Sequence, residues 1–562
     1  PNLAVLTGKL YPDYVRAINI WISKLAGSIP SDLTSTKRWT SPFYKATIAK
    51  LPDAVRTQQG MSRLLGAASN ETDAFIHALR ITSVVSSYKA EAIILKKLDR
   101  MDNASLEVID EDVYNLLREE KSRQINSIEL IASENFVPRA ILEALGSCAT
   151  NKYAEGYPGR RYYGGNEVID KIETLAQTRA LEAYDLCEDK WGVNVQSLSG
   201  SPANIAVFTA LVRPGGRIMG QALKDGGHLT HGYYTPNKKI NASSLFFESL
   251  PYHIDPATGL IDYDELEKNA KIYQPKIIIA GISAYSRNLD YRRFRAIADQ
   301  CKSILMADMA HVSGLVAHNL VTNPFEYCDI VTTTTHKTMR GPRGALIFFK
   351  KDFVAPYDKT LNVEHAINEA VFPCLQGGPH ENNIAGIAVA LKILKSPAFE
   401  QYAKQVIANS QQLAETLCSL GYKLVTGGTE NHMVLIDLNP QKIDGSMAER
   451  ILECISIAVN KNTIASDKSV LRPHGLRLGS AAMTSRGMGV KEFEKIANFI
   501  HQALTIAIRV VKFEYFEKTD ETLAMKFEDM LKHPAVSEQL SQLKTKVVEM
   551  CSVFPMPGND LF

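Results

Sequence analysis

Three short apolar runs, Lys276 to Ala280, Ser303 to Ala307 and Asp329 to Thr335, most narrow what this chain can fold into. They are aliphatic or β-branched, and helical patterns such as Arg292 to Lys302 separate them. Apolar strands alternating with helices predict an α/β fold around a parallel sheet covered on both faces. A fourth strand-like run, Val193 to Gln196, leads into the apolar stretch Ile205 to Leu211. From about Pro397 the pattern mixes helices over Glu400 to Leu420, Ser446 to Asn460 and Glu492 to Lys512 with short strands such as Met433 to Leu438. A chain of 562 residues has room for about two to four domains, and no internal repeat is visible.

The formal charge of +2 provides no field for nucleic acid or an anionic membrane, and no apolar run approaches the length of a membrane span. With 45% hydrophobic and 22% charged residues the composition is that of a globular protein. Eight cysteines without a CxxC suggest neither a disulfide framework nor a zinc ribbon, and point to a reducing compartment. Charge is nevertheless uneven. Residues 1–100 carry 14 Lys and Arg against 7 Asp and Glu, a net of +7, and the remainder nets −5. Within that basic segment Tyr14, Ile18, Trp21, Ile22 and Leu25 share a helical face ahead of Gly27, and a second helical pattern runs from Asn70 to Lys97. An organellar transit segment and a helical extension packed on the body both fit. The chain opens at Pro1, and Met101 stands where a shorter chain would start. An acidic helix start follows, Glu107, Asp110, Glu111 and Asp112, with Ile109, Val113, Leu116 and Leu117 at helical spacing.

In an open parallel sheet ligands bind beyond the carboxyl ends of the strands. Here those ends run into Ser283, Tyr285, Ser286 and Arg287, into Asp308, Met309, Ala310 and His311, and into Thr335, His336 and Lys337. Upstream, Ser199 to Asn204 is a small-residue turn opening a helix, suited to a phosphate, although a plain Ser/Pro helix start reads the same way. A strand-end lysine, a carboxylate and a phosphate turn are what pyridoxal phosphate requires, namely an amine for a Schiff base and an acid to keep the pyridine nitrogen protonated. His228 and His231 suggest a metal pair at first sight, but no third ligand is expected to stand nearby and HExxH is missing, so ring stacking by one imidazole and a structural role for the other are expected. The Gly- and Tyr-rich stretch Asn151 to Gly165 holds one carboxylate, Glu155, either poised as a general acid or base or simply solvated.

With these residues in place the sequence resembles the serine hydroxymethyltransferase family. The resemblance rests on ELIASEN (129–135), NKYAEGYPGRRYYGG (151–165), SGSPAN (199–204), GGHLTHG (226–232), DMAHVSG (308–314), TTTTHKT (332–338), QGGPH (376–380) and the Arg477-x-Gly479 pair, in the family's order from about Ser105 onward. Residues 1–100 lie outside it. It implies a fold type I pyridoxal 5'-phosphate transferase divided into an extension (1–100), an N-terminal arm (101–150), a large mostly parallel-sheet domain (151–395) and a small C-terminal α/β domain (396–562). It makes Lys337 the cofactor lysine, Asp308 the partner of the pyridine nitrogen and His228 the ring-stacking group. His311 and Ser283 would lie near the phenolic oxygen, and Ser199, Gly200, Ser201 and His336 on the phosphate side. Arg477 would clamp the substrate carboxylate. Ser133, Tyr153, Glu155, Tyr163, Gly377 and Gly378 would reach the site partly from a neighbouring subunit, and Leu223, Gly227 and Asn462 would contact folate.

The implied reaction moves the serine hydroxymethyl group to tetrahydrofolate, giving glycine and 5,10-methylenetetrahydrofolate, with Glu155 as the proton-transfer group. No metal, nucleic acid or membrane partner is implied. The expected assembly is an obligate homodimer or a homotetramer, inside the cell, with cytoplasm and mitochondrion both open. Ala222, Ile282, Cys374 and Ser480 depart from the family's usual acid, threonine, glycine and threonine, and bear on affinity rather than on reaction class. A threonine aldolase and a non-catalytic paralogue are the competing expectations; the second would have lost chemical groups, yet Lys337, Asp308, Glu155 and Arg477 are all present.

Overall fold

The computed structural model describes residues 102–467, 472–516 and 525–558. The helical patterns at Tyr14 to Leu25 and Asn70 to Lys97 lie outside the described residues. Residues 102–117 hold the short helix Leu106–Ile109 and open the helix Glu111–Ile125, with Ile109, Val113, Leu116 and Leu117 exposed.

From residue 118 onward the centre of the fold is a seven-stranded sheet. Its strands are β1 (Trp191–Asn194), β2 (Arg217–Gln221), β3 (Glu248–Tyr252), β4 (Ile277–Gly281), β5 (Ile304–Asp308), β6 (Ile330–Thr334) and β7 (Ala345–Lys350), in the order β1-β7-β6-β5-β4-β2-β3. All pairings are parallel except the two made by β7. Neighbouring residues on one strand serve opposite cores. Ile277, Ile279, Ile304 and Met306 pack with the helix α1 (Gly200–Leu211), whereas Ile278, Ala280, Leu305 and Ala307 pack on the other face. Burial on both faces is why these strands read as unbroken apolar runs.

Capping aspartates start the surface helices: Asp262 accepts from the Glu265 N–H and Asp290 from the Arg293 N–H, at 2.9 and 3.0 Å. The helix Pro397–Ser419 begins three residues earlier than its apolar pattern suggests, because Ser396 caps it and Pro397 suits the first turn. A second, four-stranded antiparallel sheet joins Lys423–Leu424, Met433–Asp437, Gly475–Gly479 and Asn460–Asn462 in that order. The helix expected over Ser446 to Asn460 is shorter, Gly445–Cys454. Ser456 takes a positive φ of 61°, which breaks the helix and frees Asn460–Asn462 to pair with Gly475–Gly479. Ile128–Glu129 pairs in parallel with Ile457–Ala458, so Ile128 and Leu130 belong to the core of this second sheet.

Candidate active site

Because β1, β4, β5 and β6 run in one direction, their carboxyl ends share one edge of the sheet. There a cavity of about 390 Å³ is lined by Ser133, Ser199, Gly200, Ser201, His228, Ser283, Asp308, His311, His336, Lys337 and Arg477, together with Glu134, Ile282, Ala310, Thr334 and Arg343. Eleven residues singled out from sequence thus meet in one place.

Asp308 ends β5, and every contact it makes fixes its charge. Its Oδ2 accepts from Asn204 Nδ2 at 2.8 Å and from His231 Nε2 at 3.0 Å, and its Oδ1 from the Ala310 N–H at 3.2 Å. The His228 N–H donates to His231 Nδ1 at 3.1 Å, which leaves the His231 proton on Nε2, facing the carboxylate. Burial would raise the pKa of Asp308, but the hydrogen bond from His231, with the electrostatic pull of the surrounding histidines and Lys337, outweighs it and holds the carboxyl well below the usual carboxylate range. Glycine makes this pair possible: a Cβ on Gly281 would lie 2.7 Å from Asp308 Cβ and 2.9 Å from His231 Cε1.

The structure corrects one statement about the histidines. A third ligand does stand near them, since one ligand atom from each of His228, His231 and Asp308 lies within 4.8 Å of the others. Both ring nitrogens of His231 are already engaged, however, so its part is to polarise the carboxylate. His228 projects into the cavity with Nδ1 held 2.7 Å from Thr230 Oγ1, and burial pulls its pKa to about 4, so the ring is neutral and free to stack.

Lys337 follows β6, is 8% exposed, and makes no side-chain hydrogen bond among the described residues. Burial brings its amine down to about 8, against the opposing pull of Asp308, so a usable fraction is uncharged near neutrality. Arg477, at the centre of Gly475–Gly479, donates through Nε to Asn460 Oδ1 at 2.9 Å and through Nη1 to the Ser283 carbonyl at 2.7 Å. No carboxylate among the described residues pairs with it, and burial lowers it to about 10. A buried cation without a counter-charge is a built anion site. His311 stacks on His432 at 5.5 Å, and burial depresses both imidazoles.

Opposite Lys337, α1 begins after Ser199 with no side chain capping it, which leaves its first N–H groups for a ligand. A Cβ on Gly200 would come 2.7 Å from Thr334 Cγ2, so only glycine lets the turn close here. His336 Nδ1 is buried without a hydrogen-bond partner. An amine without a partner, an orphaned imidazole nitrogen, an open helix start and a carboxylate held ionised fit pyridoxal phosphate. The fold and this donor set together are those of a fold type I pyridoxal-phosphate enzyme.

Comparison with known proteins narrows the class. The serine hydroxymethyltransferase family profile matches residues 106–500. The serine hydroxymethyltransferase of Caenorhabditis briggsae is 54% identical over 81% of this chain and 89% of its own length. The cytosolic serine hydroxymethyltransferase of Oryctolagus cuniculus is 52% identical over 85% of this chain and 99% of its own, and the chloroplastic serine hydroxymethyltransferase 3 of Arabidopsis thaliana is 50% identical over 85% and 90%. The chain belongs to the serine hydroxymethyltransferase family and is an enzyme of its reaction class, a pyridoxal-phosphate-dependent hydroxymethyltransferase.

Other residues singled out from sequence do not line this cavity. Tyr153 and Tyr163 meet edge to face at 5.2 Å and are 58% and 49% exposed. Gly377 lies against Glu155 and Gly378 against Tyr153, where a Cβ would fall 3.3 Å from Glu155 Oε1 and 3.4 Å from the Tyr153 ring. Leu223 opens a short 3-10 turn, Gly227 packs on the Gln221 carbonyl, and Asn462 ends its strand. The stretch 151–165, expected to be neither helix nor strand, contains a small hairpin of Gly156–Tyr157 with Arg160–Arg161. Sequence reading placed Asn204 only in the phosphate turn and gave no role to Thr332, Asn460, His432 and Arg343. Thr332 donates to Asn204 Oδ1 at 2.7 Å and so aims Asn204 at Asp308. Only Asn204 left a signal, a lone amide within an apolar helix.

Proposed function

We propose that this cavity carries out the reversible conversion of serine and tetrahydrofolate to glycine and 5,10-methylenetetrahydrofolate, with pyridoxal 5'-phosphate held by Lys337. The observation that carries the reading is the convergence of Lys337, Asp308 and Arg477 on one cavity of about 390 Å³. Ser199, Gly200, Ser201 and His336 would hold the phosphate, His228 one face of the ring, Asp308 a proton on the pyridine nitrogen, and His311 and Ser283 the side of the phenolic oxygen. When bound, the cofactor withdraws electrons from the substrate carbon. Arg477 orients serine by its carboxylate with a two-pronged donor. Glu155 moves a proton at the serine hydroxyl oxygen, with Tyr163 and Ser133 beside it, and Leu223, Gly227 and Asn462 hold tetrahydrofolate.

Tyr153, Glu155, Tyr163, Gly377 and Gly378 serve the cavity of a neighbouring subunit, which makes the enzyme an obligate homodimer or a pair of such dimers. The exposure of Tyr153 and Tyr163 supports that reading. Residues 101–150 act as an arm, 151–395 as the large domain and 396–562 as the small one. No described helix is long and apolar enough to cross a membrane. The enzyme works inside the cell, in cytoplasm or mitochondrion, and the basic residues 1–100 are dispensable for chemistry. A steady-state assay with serine, with and without tetrahydrofolate, tests the activity: strong folate dependence is expected, and a rate indifferent to folate would give the threonine-aldolase reading instead.

A further inference from the structure

One buried guanidinium fastens the hairpin that follows Glu155 to the body of the fold. Arg161 Nη1 donates to the carbonyls of Ala154 at 2.8 Å and Gly156 at 2.9 Å, the residues on either side of Glu155. Its Nε donates to Asp170 Oδ1 at 2.9 Å and its Nη2 to Glu173 Oε2 at 2.6 Å, both on the helix Glu167–Ala183. Gln196 Nε2 completes the grip, reaching Glu173 Oε1 and the Gly156 carbonyl, each at 2.9 Å. Gly156 sits at φ +101°, and a Cβ there would fall 2.3 Å from the Arg160 carbonyl oxygen, so the turn requires glycine.

Behind Arg161 stands a third acid, with no settled partner. Glu381, the first residue of the helix Glu381–Leu394, is 1% exposed, and neither of its carboxyl oxygens has a hydrogen bond. Its Oε1 lies 3.9 Å from Arg161 Nη2, close enough to compete with Glu173 for the same cation. The charged groups that reach it are Arg161, Glu173 and Asp170. On the other elements packed against its helix, Arg139 pairs with Glu143 and Glu400 with Lys404, and Arg179 donates to the Ala388 carbonyl at 2.8 Å. Burial, reinforced by repulsion from Glu173, pushes Glu381 up to about 8.

We propose that Arg161 is a positioning residue for Glu155, and that Glu381 sets the upper pH limit of this clamp. The neutral acid leaves the guanidinium to the Ala154 and Gly156 carbonyls, and the carboxylate, buried and without hydrogen bonds, draws it away. The inference rests on the reading of Glu155 as the proton-transfer group.

Hydrogen exchange and kinetics on the full-length holoenzyme between pH 7 and 9 test it. Segment 151–165, where the Tyr162 N–H donates to the Glu155 carbonyl at 3.0 Å, should lose protection above pH about 8 in the native enzyme, beyond the intrinsic pH effect. Glu381→Gln should retain that protection and match native turnover at pH 7. Identical protection profiles for the two would overturn the role of Glu381. Arg161→Lys has one ammonium where four acceptors converge. It should keep the cofactor's absorption and the KM for serine within about twofold while kcat falls by about tenfold to a hundredfold, the range of a misplaced catalytic group. Unchanged kcat would overturn the positioning role. Should Arg161→Lys fail to fold, Glu173→Gln weakens the same grip and should lower kcat in the same direction; an unchanged kcat there overturns it equally. Glu155→Gln, measured alongside, separates the two ideas: if it is fully active the proton-transfer reading has failed, and if it is inactive while Arg161→Lys is unaffected only the clamp has.

Discussion

The cavity at the sheet edge and the hairpin with its adjoining glycine loop handle polar groups in opposite ways. In the cavity Asp308, Lys337 and Arg477 are buried; burial lowers Lys337 and Arg477, and the neighbours of Asp308 hold it low against burial. On the hairpin side Tyr153 and Tyr163 face outward, although the backbone beneath them is gripped by a buried arginine. A rigid frame holding exposed side chains is the arrangement of groups built to act on something outside the chain, and a rigid frame holding buried ones is that of groups built to hold a ligand within it.

The sharpest break between the two regions comes from Lys337→Ala. It should remove both the visible absorption of bound cofactor and all turnover above background, since the cavity contains no other lysine. A yellow, active variant would dissolve the distinction. Asp308→Asn comes next. Removing the charge that would answer the protonated pyridine nitrogen takes one partner from a buried ion pair, a loss of about 3 to 5 kcal/mol, so cofactor retention measured by dialysis should fall by more than about a hundredfold. Near-normal retention would mean that another group answers the pyridine nitrogen.

A smaller effect follows from the amine itself. With its pKa lowered to about 8, Lys337 is mostly protonated below that pH and mostly neutral above it. Capture of pyridoxal phosphate by the cofactor-free protein should therefore be about tenfold slower at pH 7 than on the plateau above pH 9. A midpoint near 10.5, the ordinary lysine value, would mean that the cavity does not desolvate the amine. The smallest effect sharpens the comparison most. Lys337→Ala and Tyr153→Phe chains, each inactive, should on random exchange recover about a quarter of native activity if Tyr153 serves the neighbour's cavity. Hybrids shown to form without any recovery would return both residues to one chain's site.

The strands β4, β5 and β6 were legible to within one residue because their runs are short, apolar and bounded by polar groups. The reversed strand Ala345–Lys350 was not, since direction leaves no mark on composition. The helix beginning at Gly445 was read too long because Ser456 carries no local signal for a positive φ. Lys337, Asp308 and Arg477 stood out as polar groups within recognisable motifs. Asn204, Thr332 and His432 act through partners more than a hundred residues away, and no spacing along the chain announces such contacts.

By itself the sequence determined the α/β class, the family and the identity of the groups gathered around Lys337, because hydrophobic periodicity and short motifs are local properties that the chain carries wherever it goes. Tertiary structure alone decided which nitrogen of His231 meets Asp308, that Arg161 holds the peptide on both sides of Glu155, and that Tyr153 and Tyr163 stay exposed and outside the lining of the cavity their own chain builds. Those outcomes depend on which distant segments the packed sheet and helices bring within about 3 Å, the reach of a hydrogen bond.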